Sequence, residues 1–505
     1  IVVILMIGGL LWWSQKRSST PESNNAESTS DDGSDTRREA QPEMPPLSKD
    51  RPLPGARFEV ELIEEPAKRY NAGQSSEADK TYRSLLSQMG HPSATYDNNL
   101  GHAARELAYQ HSIMDGLVPA RVVDFLLHSA GAIDKSVTQA FMSTTGSGME
   151  AVKKRLSSML AGQPRNAVLR VGVGEAYVPG PKPMHFIAVL MSRRQLEISP
   201  TPRWVQAGAR WQLTGVLPAG FEKPSALMLR PEGGLVPVKV TSDGRRFSVI
   251  IDSTQTPGEM HVSVSAEGPY GPQPLIQLPV QVGAMPPKKL TIFLPPDESE
   301  LQSNAEAEAL AYKLLNLDRK HFGLSELSLD GELSNVSRRH SLDMRDNNFF
   351  GHISMNTGGP GDRLADAGYK ASSHAENVAM GGSIHGAEQG LLQSLGHRKN
   401  ILNPSFTHVG IGVAGRREDG RIVWYLTQMF SKPVSMIDGD TEARRVLNTL
   451  NAKRRDSGAT ALRIDQELTV IATNGANSVA KGGTDVARKL LDRAEAQGLT
   501  SRGAY

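Results

Sequence analysis

Three side chains in one stretch of this chain are of the types that do chemistry: His352, Glu376 and His397. His352 closes a Phe-Phe-Gly-His run, Glu376 sits in Ala-Glu-Asn-Val, and His397 in Gly-His-Arg-Lys-Asn-Ile-Leu. Two imidazoles and a carboxylate are what a divalent-metal site or an acid/base site needs. Lone loop histidines are more often polar caps of helix ends, and a Glu before an Asn can simply face water. The reading therefore depends on the elements that carry them.

Those elements are well patterned. A helix starts at Ser303-x-x-Glu306, a capping box in which the Ser oxygen and the Glu carboxylate satisfy orphan amides, and Leu310, Leu314 and Leu317 give it an apolar face. A second helix carries Leu333, Val336, His340 and Met344 on one face. That spacing makes His340 a buried core histidine first and a ligand second. A third helical stretch runs from near Gly381 through Leu391, Leu392 and Leu395 to His397. The segment closes with a hairpin, 408–414 and 422–430 around a turn at Asp419-Gly420.

Taken in order, the two helices, Phe-Phe-x-His, Glu-Asn, x-His-Arg-x-Asn-Ile-Leu and the Val-Gly-Ile-Gly-Val run at 409–413 resemble the CAP superfamily. Its members are the cysteine-rich secretory proteins, antigen 5 and pathogenesis-related protein 1, and the likeness is to their bacterial, cysteine-free SCP-like branch. The resemblance covers about 301–435. It implies an α-β-α sandwich with a shallow cleft holding two His and two Glu, where some members bind a divalent ion, often zinc, through the His pair. By motif, His352 and His397 take the places of that pair and of the metal ligands, and Glu376 that of the first Glu. The second Glu of the family lies three residues after a Trp. Leu391 stands at the Trp place here and Ser394 where the carboxylate would be. A His-Ser-x-x-Met pattern in bacterial relatives keeps His340 as a secondary cleft candidate.

At 505 residues the chain calls for three or four domains. Lys and Arg number 56 against 54 Asp and Glu, so no charge excess recommends nucleic acid as partner. The lack of cysteine excludes disulfides, thiolate metal sites and a cysteine nucleophile. The run 1–13 is wholly apolar, with Trp12-Trp13 at its end and Lys16-Arg17 beyond. It reads as part of a signal anchor in 1–17, or as the apolar core of a signal peptide. Either way the remainder is exported, anchored at the cell envelope or secreted. Segment 18–57, rich in Ser, Asp, Glu, Asn and Pro, reads as a disordered stalk.

The fold class that follows is α+β. A CAP-type α-β-α sandwich at 301–435 is preceded by an α+β domain at 58–200 and an immunoglobulin-like β-sandwich at 201–284, with a linker at 285–300. Segment 436–505 reads as a truncated second copy. Leu315-Asn316, Arg319, Gly323, Leu327 and Leu329-Asp330 reappear 135 residues later as Leu450-Asn451, Arg454, Gly458, Leu462 and Ile464-Asp465. Segment 58–200 echoes the same order through Tyr96-Asp97, Leu100, His111 and Val171-Gly172-Val173-Gly174, and reads as a degenerate CAP-like copy. Three functions compete. The first is a module that binds an envelope or extracellular protein, a glycan or a lipid in its cleft. The second is a metal-dependent hydrolase of peptide or cell-wall material with Glu376 as general base. The third is surface adhesion.

Overall fold

The CAP-like segment begins where the sequence caps it. Ser303 Oγ accepts the Glu306 amide at 3.2 Å while the Glu306 carboxylate accepts the Ser303 amide at 3.0 Å, opening the helix Asn304–His321. Asp330 caps the next helix, Gly331–Asp346, by accepting the amides of Glu332 and Leu333. Four strands form the sheet in the order Ser328–Leu329, His408–Glu418, Arg421–Pro433, Ala371–Gly381. The first pair is parallel and the others are antiparallel.

Alternation along the central strand sorts the layers. Val409, Ile411 and Val413 join Ala307, Ala311, Leu314 and the helix residues Ile384, Ala387 and Leu391 in one core. Gly410 and Gly412 point the other way, onto Gly331–Asp346. A Cβ on Gly410 would lie 2.2 Å from the Leu333 backbone, and one on Gly412 would lie 2.1 Å from the Arg338 amide. The helix backbone therefore rides directly on the sheet, with Ser337 and Ser341 hydroxyls donating to the Gly410 and Gly412 carbonyls. The result is a three-layer α-β-α domain.

This computed structural model describes residues 44–473 apart from 74, 115–117, 135–136, 165–166, 194–195, 419–420, 435–438, 467–468 and 471–472, together with 4–6. It forms two compact units, Ile1–Pro433 and Val434–Tyr505, each considered by itself. The turn at Asp419-Gly420 and most of the 1–17 segment lie outside the described residues. Three residues of that segment, Ile4–Met6, pair antiparallel with the strand Val137–Thr144. Among the described residues no helix is long and apolar enough to cross a membrane.

Residues 58–200 place helices Glu77–Gln88, Asn98–Ile113, Ala120–Ser129 and Gly148–Ala161 around a sheet. Strand Ala94–Tyr96 runs parallel to Leu169–Val178, which pairs antiparallel with Met184–Ser192, and that strand with Val137–Thr144. Between this region and the CAP-like segment, residues 197–282 build two mainly antiparallel sheets of five and four strands. Leu213, Val249, Ile251, Val262, Val264 and Leu278 close the core between them.

Two expectations need correction. Part of the supposed stalk is docked rather than free: Asp50 pairs with the buried Arg398 at 2.7 Å, Arg51 with Asp318 at 2.8 Å, and the Pro45 carbonyl accepts from Arg398. A buried guanidinium must find acceptors, and this polar segment supplies them. The supposed linker is likewise structured, because Lys289–Phe293 pairs antiparallel with Arg57–Glu61, burying Val60 and Ile292.

In the second unit the helix Gly439–Asp456 ends in a turn. Asn451 Nδ2 donates to the Leu462 carbonyl at 2.9 Å and Asn451 Oδ1 accepts the Leu462 amide at 2.7 Å. Asn316 does the same to Leu327 at 3.1 and 2.9 Å, 135 residues earlier. Residues beyond 473 lie outside the described set.

Candidate functional site

Glu376 lies on the sheet strand Ala371–Gly381 with its carboxylate buried. Oε1 accepts a hydrogen bond from His352 Nδ1 at 3.0 Å, and Oε2 is 2.5 Å from the Arg363 guanidinium. Burial alone would push this carboxyl up. The His352 hydrogen bond and the nearby charges of His340, Arg363 and His352 overcome it and hold Glu376 below its ordinary range. An ionised carboxylate only accepts, so His352 donates to it from Nδ1, and a ring carrying that one proton has its lone pair on Nε2.

Arg363 was not anticipated from sequence. It belongs to the short helix Pro360–Asp366, and its guanidinium also donates to the His352 and Gly358 carbonyls at 3.1 and 2.7 Å. The signal that could have found it is local: an Arg in the first turn after Gly-Gly-Pro, between two site motifs. Asp343 is a second omission. It receives hydrogen bonds from Ser354, Asn356 and Asn347, tying the loop after His352 to the Gly331–Asp346 helix.

His340 is fully buried on that helix. Its Nε2 donates to the Gly351 carbonyl at 2.9 Å and is 3.9 Å from Glu376 Oε1. Burial holds its ring below the ordinary imidazole range, against the pull of Glu376. It thus braces the loop that presents His352, as a core histidine does.

His397 is half-buried in the helix Leu395–Ile401, with its ring centroid 6.3 Å from that of His352 at 45°. Asn377, the Asn of the Glu-Asn motif, connects the two motifs. Its Nδ2 donates to the His397 carbonyl at 3.2 Å and to Gln428, while its Oδ1 accepts from Asn400 at 2.9 Å. Gln428 in turn donates to the buried Glu388, whose carboxyl is raised well above its ordinary value by burial. Ser394 lies apart from this network, at the break between the helices Ile384–Gln393 and Leu395–Ile401, where it lines a cavity of about 370 Å³ with Gln277, Gln393 and His261.

A divalent ion would find a limited donor set here. No group of three or more His, Cys, Asp or Glu side chains converges as metal ligands among the described residues. What the cleft offers is His352 Nε2, oriented by the carboxylate behind it, and the neighbouring His397 ring. Such a pair fits an ion held by two imidazoles with its other positions open.

Residues 312–430 match the sequence model of the family described as "CAP: Cysteine-rich secretory protein family". The chain is 36% identical over 140 residues to the uncharacterized protein YkwD of Bacillus subtilis (strain 168), a match spanning 26% of this chain and 52% of that protein. It is also 36% identical over 135 residues to the uncharacterized membrane protein YlbC of the same organism, spanning 26% of this chain and 36% of YlbC. The chain therefore spans about half, or less, of these curated relatives. Among solved structures, an extracellular protein containing a SCP domain from Bacillus anthracis str. Ames aligns over 44% of this chain and 82% of its own, at 21% identity and a TM-score of 0.24.

Proposed function

Because residues 312–430 form a CAP domain, we propose that this is an exported protein whose cleft binds a partner or ligand rather than turning one over. The observation that carries the reading is the state of Glu376. Its side chain is 1% exposed, with one oxygen on His352 and the other on Arg363. A general base must reach a water, and this buried, doubly partnered carboxylate is better placed to orient His352.

His352 and His397 are the residues that would hold a divalent ion, which would supply a Lewis-acidic point for a carbonyl, hydroxyl or carboxylate of the bound molecule. Glu376 keeps the His352 tautomer fixed, and Arg363 keeps Glu376 ionised. The molecule bound would be an extracellular or envelope protein, a glycan or a lipid. The apolar start of the chain supports an envelope location. We read residues 58–200 and 436–505 as eroded copies of the same fold, on the strand order of the first and the repeated Asn hydrogen bonds of the second.

Calorimetric titration of the full chain with zinc tests the site. The wild type should bind, and His352→Ala or His397→Ala should abolish it. Turnover of a peptide or cell-wall glycan library that disappears in Glu376→Gln would replace binding by hydrolysis.

A further inference from the structure

We propose that the β-sandwich of residues 197–282 is a brace for the cleft, with Tyr270 and Gln277 acting as positioning residues for His352 and His397. The proposal rests on the reading of these two histidines as the working pair. It gives a task to a region whose sequence suggests only an immunoglobulin-like β-sandwich.

Tyr270 stands at the tip of the hairpin joining the strands Gly258–Gly268 and Gly271–Val282. Its carbonyl accepts the amides of both His352 and Ile353, at 2.9 and 3.0 Å. Its ring stacks on Phe349, with centroids 5.7 Å apart and planes at 30°. The fit leaves no slack. A Cβ on Gly351 would lie 2.5 Å from Tyr270 Cβ, and one on Gly271 would lie 3.3 Å from His352 Cβ. The Phe-Phe-Gly-His motif is therefore gripped from below by His340, through the Gly351 carbonyl, and from outside by the sandwich.

The strand that follows Tyr270 reaches the second histidine. Ser394 has extended backbone, φ −79° and ψ 120°, and splits what would otherwise be one helix. Such a break leaves a carbonyl and an amide without helical partners. Gln277 satisfies both: its Nε2 donates to the Gln393 carbonyl at 2.8 Å, and its Oε1 accepts the Leu395 amide at 3.1 Å. His397 is in the first turn of the helix that Leu395 opens. One hairpin of the sandwich, with Tyr270 at its tip and Gln277 on its second strand, thus holds the backbone of the His352 loop and the start of the His397 helix. Neither contact touches the imidazoles, so each acts on the ring through the backbone beneath it.

Imidazole resonances of the full chain, assigned with His352→Gln and His397→Gln, separate positioning from mere packing. Tyr270→Ala should shift the His352 ring signals and leave those of His397. Gln277→Ala should do the converse, and Tyr270→Phe should match the wild type, since the ring and carbonyl carry the brace. Cobalt(II) affinity should fall roughly 10-fold in Tyr270→Ala and in Gln277→Ala, the usual size of an outer-shell effect. Should Tyr270→Ala fail to fold, Tyr270→Leu keeps the apolar bulk without the stack and gives the same direction. Ring signals unchanged in both variants, or as disturbed in Tyr270→Phe as in Tyr270→Ala, would overturn the proposal. A wild type that takes up no cobalt(II) would remove the metal reading of the cleft, while the resonances would still decide the brace.

Discussion

Residues 58–200 and the CAP domain solve one packing problem in one way and differ in what they put at its centre. In both, an Asp caps the helix that rides on the sheet: Asp97 accepts the amides of Asn99 and Leu100, as Asp330 does those of Glu332 and Leu333. In both, two glycines let that helix touch the strand, Gly172 and Gly174 against Gly410 and Gly412. In both, an Arg of this helix pairs with an acid of the preceding one, Arg105 with Asp79 and Arg338 with Glu308. Order and directions agree as well over four strands, to which the sheet of residues 58–200 adds Ile4–Met6 at its edge.

The registers then say what stands where. Gly410 faces Met429, which faces Glu376; Gly172 faces Leu190, which faces Gln139. Gln139 thus occupies the place of Glu376. One step along, the Asn377–Gln428 pair is replaced by Ala140 and Val189. The scaffold persists without the carboxylate or the amide network behind it. The difference separates residues that make this fold from residues that make its cleft: Asp, Gly-x-Gly and Arg belong to the first group, Glu376, Asn377 and Arg363 to the second.

Breaking the second group should be costly only where it exists. Arg363→Met leaves the Glu376 carboxylate buried without its cation and should destabilise the CAP domain by about 3–5 kcal/mol. Gln139→Ala should cost residues 58–200 far less, because no buried charge is stranded. Domain-resolved proteolysis on heating would compare the two. Equal losses would mean that Gln139 anchors a network of its own.

Breaking the first group should hurt both regions alike. Gly412→Ala and Gly174→Ala would each place a methyl about 2 Å from helix backbone, at Arg338 and Arg105. Backbone cannot rotate away as a side chain can, so each helix must lift from its sheet, costing about 3 kcal/mol. A loss confined to the CAP domain would show that the two helices ride at different heights.

The scaffold was readable from sequence because its signals are local. The Ser303/Glu306 box, the Asp before each sheet-riding helix and the alternating glycines are set by backbone chemistry within a few residues. The cleft was readable only in part. His352, Glu376 and His397 stood out by type and motif. Arg363, Tyr270, Gln277 and the 44–53 segment did not, since their partners lie in other elements and no periodicity reports such contacts. Ser394 was placed in the cleft by a spacing rule, whereas the helix break turns it toward the sandwich.

Acid behaviour sharpens the comparison at a lower energy. Glu106, on the helix of residues 58–200, is pushed up to about 7 by burial, against the amides of Ile63 and Glu64 and the charge of Arg105. Its folded value lies above the ordinary 4.5, so the folded state holds a proton that the unfolded state releases. The associated stability is complete below about 4.5 and is lost as pH rises toward 7. Residues 58–200 should therefore lose stability between those limits, by at most about 3 kcal/mol, and Glu106→Gln should flatten the slope. A slope that survives the substitution would assign it to another group.

The smallest effect separates the Asn pairs 135 residues apart. Asn316 and Asn451 each close the turn after a helix with the same two hydrogen bonds. Their partners differ in burial: Leu327 is 1% exposed and Leu462 is 44% exposed. Removing a partner from buried backbone groups costs about 1–3 kcal/mol, whereas water replaces it at the surface. Asn316→Ala should thus lower stability by about 1 kcal/mol or more, and Asn451→Ala by less than about 0.5 kcal/mol, read as midpoints of chemical denaturation for each unit. A larger loss at Asn451 would mean that Leu462 is covered in solution. The turn of the second unit would then be buried as its counterpart at Asn316 is.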